Sequence, residues 1–198
     1  MKVLLLIDIQ NDFSPKGALA VKDGDDIIPF VNQKQNKFDL IVATQDWHPQ
    51  NHGSFAINHP DKAPGDMISL GNVDQVLWPV HCVQNSLGAD FIPGLNVSKI
   101  NQIVQKGMNE NIDSYSGFYD NDHQISTGLH QYLQDHKISE VFIAGLATDY
   151  CVKFTALDAV QLGYSTIVFK DGVRGVDLAP GDIEKAFTEM QTAGIKII

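Results

Sequence analysis

Three side chains capable of covalent catalysis stand just past apolar runs. Asp8 follows Val3, Leu4, Leu5, Leu6 and Ile7; Lys106 follows Ile103, Val104 and Gln105; Cys151 comes five residues after Leu146, the end of a further run from Val141. In an open parallel sheet, ligands bind beyond the carboxyl ends of the strands, above all where the strand order reverses. If the strands run 3-2-1-4-5-6, the first and fourth flank that reversal, and Asp8 then faces Cys151 across the crevice. A thiol in the first turn of a helix sees the positive end of the helix dipole and unpaired N–H groups. The spacing therefore predicts a lowered thiol pKa and a nucleophile with oxyanion donors beside it. Asp8 can take the thiol proton and return it to a leaving amine, with Lys106 holding Asp8 ionised or helping to bind developing charge. Spacing alone leaves another account open: a lone helical Cys is often a small buried hydrophobe, and charged residues at strand ends are often solvated. Cys82 has only that bland account, since the sequence places no acid or base to activate it.

A second constellation lies on Asp46-Trp47-His48 and, further on, His81. Side chains two residues apart on an extended segment point the same way, so Asp46 and His48 can share one ion, with His81 brought in from the far end of a loop. Three nitrogen and oxygen ligands leave positions for water or substrate, whereas a structural zinc would use four protein ligands and more thiolates. The competing account is a polar loop whose imidazoles hydrogen-bond to backbone. His52 is a weaker candidate, placed to support a ligand, and His59 precedes Pro60 in what reads as a turn.

These residues need a scaffold, and the chain supplies the rhythm of one. Strand-length apolar runs occur at Lys2 to Asp8, Asp39 to Gln45, Asn101 to Lys106, Glu140 to Leu146, Ser165 to Lys170 and Ile195 to Ile198, with helical stretches between them. That alternation predicts an α/β fold with a parallel sheet covered on both faces. Ile27, Phe30 and Val31 share one helical face; so do Leu129, Tyr132 and Leu133 after Ser126 and Thr127, and Ile183, Ala186, Phe187 and Met190 after Pro180. A further helix should run from near Thr148 to Gly163, with Val152, Ala156, Ala159 and Val160 against the sheet. No repeat or linker divides residues 1–198, which read as one domain. The stretch 46–93 interrupts the rhythm, and it holds four of the seven His, both Trp and five of the eight Pro. A loop so long and so rich in aromatic and His residues reads as functional rather than disordered.

Composition narrows the partners. At 198 residues and 43% hydrophobic content, the chain can bury a full core, roughly 70% of its unfolded surface. A formal charge of −10 without clustered Lys or Arg argues against nucleic acid and against anionic membranes. The opening apolar run stops at Asp8, too short for a secretory leader, and no run approaches a membrane span. Two cysteines without a leader point to a reducing cytoplasm and thiols free for chemistry. Self-association fits an acidic enzyme of this size, but no interface is legible.

Taken in order, L-I-D-I-Q-N-D-F at 6–13, T-Q-D-W-H-P-Q-N-H-G-S-F-A at 44–56, W-P-V-H-C-V-Q at 78–84, Lys106-Gly107, D-S-Y-S-G-F at 113–118 and A-G-L-A-T-D-Y-C-V at 144–152 resemble the nicotinamidase branch of the isochorismatase-like cysteine hydrolases. The resemblance spans residues 2 to about 175. It implies a three-layer αβα sandwich with a six-stranded parallel sheet in the order 3-2-1-4-5-6. It also implies a catalytic triad of Asp8, Lys106 and Cys151, and Asp46, His48 and His81 as ligands of one divalent ion, zinc first, with iron or manganese as alternatives. Phe13, Trp78 and Tyr115 would line a pyridine pocket. The Ala147-Thr148 peptide would be cis, and the N–H groups of Ala147 and Cys151 would form an oxyanion hole. The implied reaction converts nicotinamide to nicotinate and ammonia through a thioester on Cys151, in NAD salvage, with pyrazinamide also accepted. The nearest rival is a superfamily amidohydrolase acting on an N-carbamoyl or ureido substrate, against which the full Asp46, His48, His81 set argues. Vinyl-ether hydrolysis needs no thiol, and Cys151 argues against it. The variable spacing between His48 and His81 leaves the roles of His52 and His59 open.

Overall fold

The computed structural model describes residues 1–198. In chain order its regular elements are β1 (Lys2–Ile7), α1 (Ile28–Gln35), β2 (Leu40–Asp46), β3 (Met67–Leu70), β4 (Val73–Val76), β5 (Gln102–Lys106), α2 (Leu129–Asp135), β6 (Glu140–Leu146), α3 (Lys153–Gln161), β7 (Ser165–Arg174), α4 (Asp182–Thr192) and β8 (Lys196–Ile197). Six strands form a parallel sheet in the order β5-β2-β1-β6-β7-β8. With the β3–β4 hairpin set aside, that is the order 3-2-1-4-5-6.

The central strands read as unbroken apolar runs because both their faces are covered. Along β1, Val3, Leu5 and Ile7 join a core with Leu129, Leu133, Val152, Ala156 and Met190 from α2, the turn before α3, α3 and α4. Leu4 and Leu6 face the other way, into a core with Ile28 and Val31 of α1 and with Cys82 and Ile92 of the long loop. The period of two in the pleat thus sorts one strand into two cores and gives three layers. Leu5 is fully buried. Leu5→Ala should cost about 2–5 kcal/mol, read as a lower urea midpoint at unchanged slope.

Three local features differ from the sequence reading. The segment after β6 opens as one π turn, Thr148–Val152, in which the Val152 N–H donates to the Ala147 carbonyl at 3.1 Å; regular α-helix starts only at Lys153. The helix closes as expected: Gly163 has φ 90°, and the Tyr164 N–H reaches back to the Ala159 carbonyl at 2.9 Å. β7 runs to Arg174, past the expected end at Lys170, because a bulge carries it across Asp171 and Gly172: Ile143 pairs with Val168, and Gly145 already with Val173. The 46–93 stretch contains the β3–β4 hairpin, turned at Gly71 and Asn72 with φ 59° and 67°, as a two-residue type I′ turn requires. No helix is long and apolar enough to cross a membrane.

Candidate active site

The sheet order places the carboxyl ends of β5, β2, β1 and β6 side by side. Asp46 and Lys106 are register partners at the last positions of β2 and β5, so their side chains leave the sheet together. Asp8 follows β1 at φ 46°, a left-handed conformation uncommon for a non-glycine residue and concentrated at functional sites. The Lys106 ammonium is the hub. Its Nζ lies 2.9 Å from Asp8 Oδ2 and 2.5 Å from Asp46 Oδ1; it donates to the Ser114 carbonyl at 2.8 Å and sits 3.5 Å from Cys151 Sγ. Thr44 donates its hydroxyl to Asp8 Oδ1 at 2.6 Å and accepts the Asp8 N–H at 3.1 Å. Carboxylate oxygens of Asp8 and Asp46 and the Cys151 sulfur lie within 4.8 Å of one another. Asp8, Lys106 and Cys151 therefore meet, as the strand order predicts.

The electrostatics of the thiol differ from the sequence expectation. Burial pushes Cys151 well above the usual thiol range, and Asp8 and Asp46 add to the rise, while Lys106 pulls against it. A π turn inside a closed pocket, with two carboxylates nearby, outweighs the helix dipole that predicted an acidic thiol. Burial likewise raises Asp8, to about 6, with Lys106 opposing. Burial works against charge on Lys106, yet Asp46 and Asp8 hold its pKa well above the usual range. The resting pair is then a neutral thiol beside an available carboxylate, which suits proton transfer during attack rather than a standing thiolate.

Asp46 turns its other oxygen to a second cluster. Asp46 Oδ2 is 3.7 Å from His48 Nε2 and 3.9 Å from His81 Nε2. His48 Nδ1 lies 2.8 Å from the Gly107 carbonyl, and His81 Nδ1 lies 2.8 Å from the Pro79 carbonyl. A carbonyl only accepts, so both Nδ1 atoms carry a proton, and in the neutral rings both Nε2 lone pairs converge on Asp46. His48 Nε2 is buried without a hydrogen-bond partner. An orphaned buried acceptor beside a second imidazole and a carboxylate fits a divalent ion. Burial disfavours charge on Asp46, but Lys106 and the two imidazoles hold its carboxyl far below the usual range. Burial and His48 push His81 down to about 4, which keeps it neutral as a ligand must be. Gly107, at φ 65°, is required here: a Cβ would overlap the His48 ring.

Between the two clusters opens a mainly apolar cleft of about 350 Å³, its mouth included, lined by Phe13, Trp78, Tyr115 and Ala147 together with Asp46, His81 and Cys151. Other residues that shape it are less legible in sequence. Tyr150 packs edge-on to Trp78 with ring centres 4.8 Å apart and lies beside Tyr115; its place next to Cys151 was the available signal. Gln75 of β4 is fully buried and donates to the Tyr115 hydroxyl at 2.8 Å, and Trp78 Nε1 donates to the same oxygen at 3.2 Å. Gln10 brackets Asp46, accepting its N–H at 2.9 Å and donating to its carbonyl at 2.8 Å, so it continues the sheet's hydrogen bonding past the end of β1.

One further expectation is corrected. The cis peptide is Leu146-Ala147, not Ala147-Thr148: the chain bends at the last residue of β6, and Ala147 is left extended at φ −96°, ψ 149°, as the cap of the π turn. His59, whose role the sequence leaves open, stands apart from Asp46, His48 and His81, with its Nε2 on the Gly53 carbonyl at 2.6 Å, holding a turn. Cys82 is free and buried in the α1-side core, away from Cys151, as its bland reading has it.

An open parallel sheet with a buried thiol, carboxylate and ammonium at its switch point brings together the groups that an α/β cysteine hydrolase uses. The isochorismatase domain family matches residues 2–198, and the chain belongs to that family. It is similar to the nicotinamidase of Escherichia coli strain K12, 48% identical, with 98% of this chain and 92% of that protein covered. The yeast nicotinamidase bound to the inhibitor nicotinaldehyde superposes with TM-score 0.93 at 37% identity, covering 100% of this chain and 99% of that one. A pyrazinamidase of Pyrococcus horikoshii in complex with zinc gives TM-score 0.80 at 39% identity, covering 100% and 98%.

Proposed function

We propose that the chain is a nicotinamidase, hydrolysing nicotinamide to nicotinate and ammonia in NAD salvage, with pyrazinamide as a second substrate. The observation that carries this reading is the shared Asp46: one oxygen on Lys106 of the catalytic cluster and the other toward His48 and His81, with Asp46, His81 and Cys151 lining one aromatic cleft. Phe13, Trp78 and Tyr115 sandwich a flat ring and exclude water. The carboxamide then lies over Cys151. As sulfur attacks the carbonyl carbon, the thiol proton passes to Asp8, whose pKa near 6 lets it both accept and return a proton. Lys106 holds Asp8 in place and balances its charge. The N–H groups of Ala147 and Cys151 receive the oxyanion. Asp8 returns the proton to the departing nitrogen, ammonia leaves, and a thioester remains. Asp8 next takes a proton from water as its oxygen attacks the thioester, and the sulfur leaves to recover its proton.

Asp46, His48 and His81 would hold one ion, which supplies when bound a Lewis-acid anchor for the ring nitrogen, directly or through water. The donor set, two imidazoles and a carboxylate, suits zinc, with iron or manganese also accommodated. The two free thiols fit a reducing cytoplasm.

Ammonia release from nicotinamide, with and without chelator, tests the reading in one assay. Chelation or His48→Ala should abolish most turnover, and added zinc should restore the chelated wild type but not the variant. Benzamide, lacking the ring nitrogen, should be a poor substrate of the loaded enzyme. Equal turnover of benzamide and nicotinamide would show that no ring-nitrogen anchor operates.

A further inference from the structure

Three imidazoles surround the Phe55 ring: His48, His52 and His81, with centres 5.5, 5.7 and 5.4 Å away. His48 and His81 carry their protons on Nδ1, as their carbonyl partners require. His52 is wired the other way. Its Nδ1 accepts the Ser54 backbone N–H at 3.2 Å and lies 2.7 Å from the Ser54 hydroxyl. A backbone N–H can only donate, so Nδ1 presents its lone pair and the proton of the neutral ring sits on Nε2. The groups facing the ring besides Ser54 include two acceptors, the Ile112 carbonyl and the Asp113 carboxylate. Nε2 itself is buried without a hydrogen-bond partner. A protonated ring nitrogen has no lone pair for an ion.

We propose that His52 is a positioning residue of the metal centre, a hydrogen-bond donor behind it and not a fourth ligand. This rests on the reading of Asp46, His48 and His81 as the ion's ligands. The His52 ring lies against His48, centres 4.3 Å apart, and so fixes the plane of a ligand. Ring nitrogens of His48 and His52 and a carboxylate oxygen of Asp113 lie within 4.8 Å of one another. One water accepting from or donating to two such atoms spans about 4.6 Å between them, so the gap suits a single bridging water. Asp113 is held by the Ser114 N–H at 2.7 Å and the Gln75 amide at 3.2 Å, and it also lines the substrate cleft. A water held there would link the His52 donor to Asp113 and so to the cleft. Three protein ligands leave the ion's remaining positions to the substrate ring and to water.

The test uses the full chain with 15N-labelled histidine, prepared metal-free and titrated with zinc, read by long-range 1H–15N correlation; the signals missing from His52→Asn assign His52. The expected result is that Nε2 of His48 and His81 moves to the coordinated range, while His52 keeps its proton on Nε2 and an uncoordinated Nδ1. A His52 protonated on Nδ1, or a coordinated His52 nitrogen, would overturn the proposal. If no imidazole responds to zinc, the metal reading itself fails, a result distinct from a coordinated His52. His52→Asn should still bind about one zinc per chain, with affinity lowered about 10–100-fold. Loss of stoichiometric zinc, as in His48→Ala, would also count against the donor role.

Discussion

Cys151→Ala is expected to end ammonia release from nicotinamide while leaving zinc content and folding in place. In the proposed mechanism sulfur forms the covalent bond, and no neighbour can replace it: Ser114 turns its hydroxyl to the backbone carbonyls of Ser116 and Tyr119, and Cys82 lies in the other core. Removing a nucleophile that acts together with its base typically costs on the order of 10⁴-fold or more in turnover. The fold should survive because the change deletes one buried atom at the edge of a core that α2, α3 and α4 already close. Acid quenching of the wild type during turnover should trap an acyl group on Cys151, located by mass spectrometry of the peptides. An adduct on Cys82, or activity retained by the Ala variant, would reject the mechanism.

The second large effect concerns Asp8. Asn keeps the size of Asp and an oxygen for the Thr44 hydroxyl, but it cannot take a proton at neutral pH. Asp8→Asn should lose at least about a hundredfold in turnover, about 2.7 kcal/mol of barrier. The pH profile adds an independent sign. Asp8 must be ionised to accept the thiol proton, and its pKa is raised to about 6, so kcat/KM of the wild type should fall as pH drops through about 6. That limb should vanish from the residual activity of the Asn variant, with zinc content followed in parallel to separate ligand protonation. Lys106→Gln should also lower turnover, and the two losses should not multiply, since one ammonium bridges the carboxylates. Independent losses would mean that Asp8 and Lys106 do not work as a unit.

Much of this arrangement was legible in the sequence because strand ends are. An apolar run that stops at Asp8 or Lys106 says where a strand delivers its last side chain, and the parallel order says which ends are neighbours. Asp46 and His48 are close in sequence, so local geometry suffices to pair them. The rest depends on contacts between distant segments. Gln75 reads as a polar residue on a short hairpin, and only the packed hairpin reveals that it holds Tyr115 and Asp113. The hairpin itself had a signal in Gly71-Asn72 between alternating residues, hidden by the His, Trp and Pro residues around it. The thiol pKa is not legible, because the sequence shows the helix that would lower it but not the burial and the two carboxylates that raise it. The order of Ser54 relative to His52 carries the tautomer, yet sequence cannot tell which ring nitrogen the N–H meets.

Asp46 belongs to both halves of the site, with Lys106 on one oxygen and the imidazoles facing the other. Ion and thiol are therefore not independent variables. A cation on the imidazole side competes for the charge that Asp46 offers Lys106, and Lys106 is also the group that moderates Asp8 and Cys151. Thermodynamic reciprocity then applies: whatever factor the ion changes in the proton affinity of the thiol, losing that proton must change in the affinity for the ion. Deprotonating Cys151 by raising the pH should accordingly be readable as a shift in zinc affinity, and an equilibrium measurement at either end reports on the other.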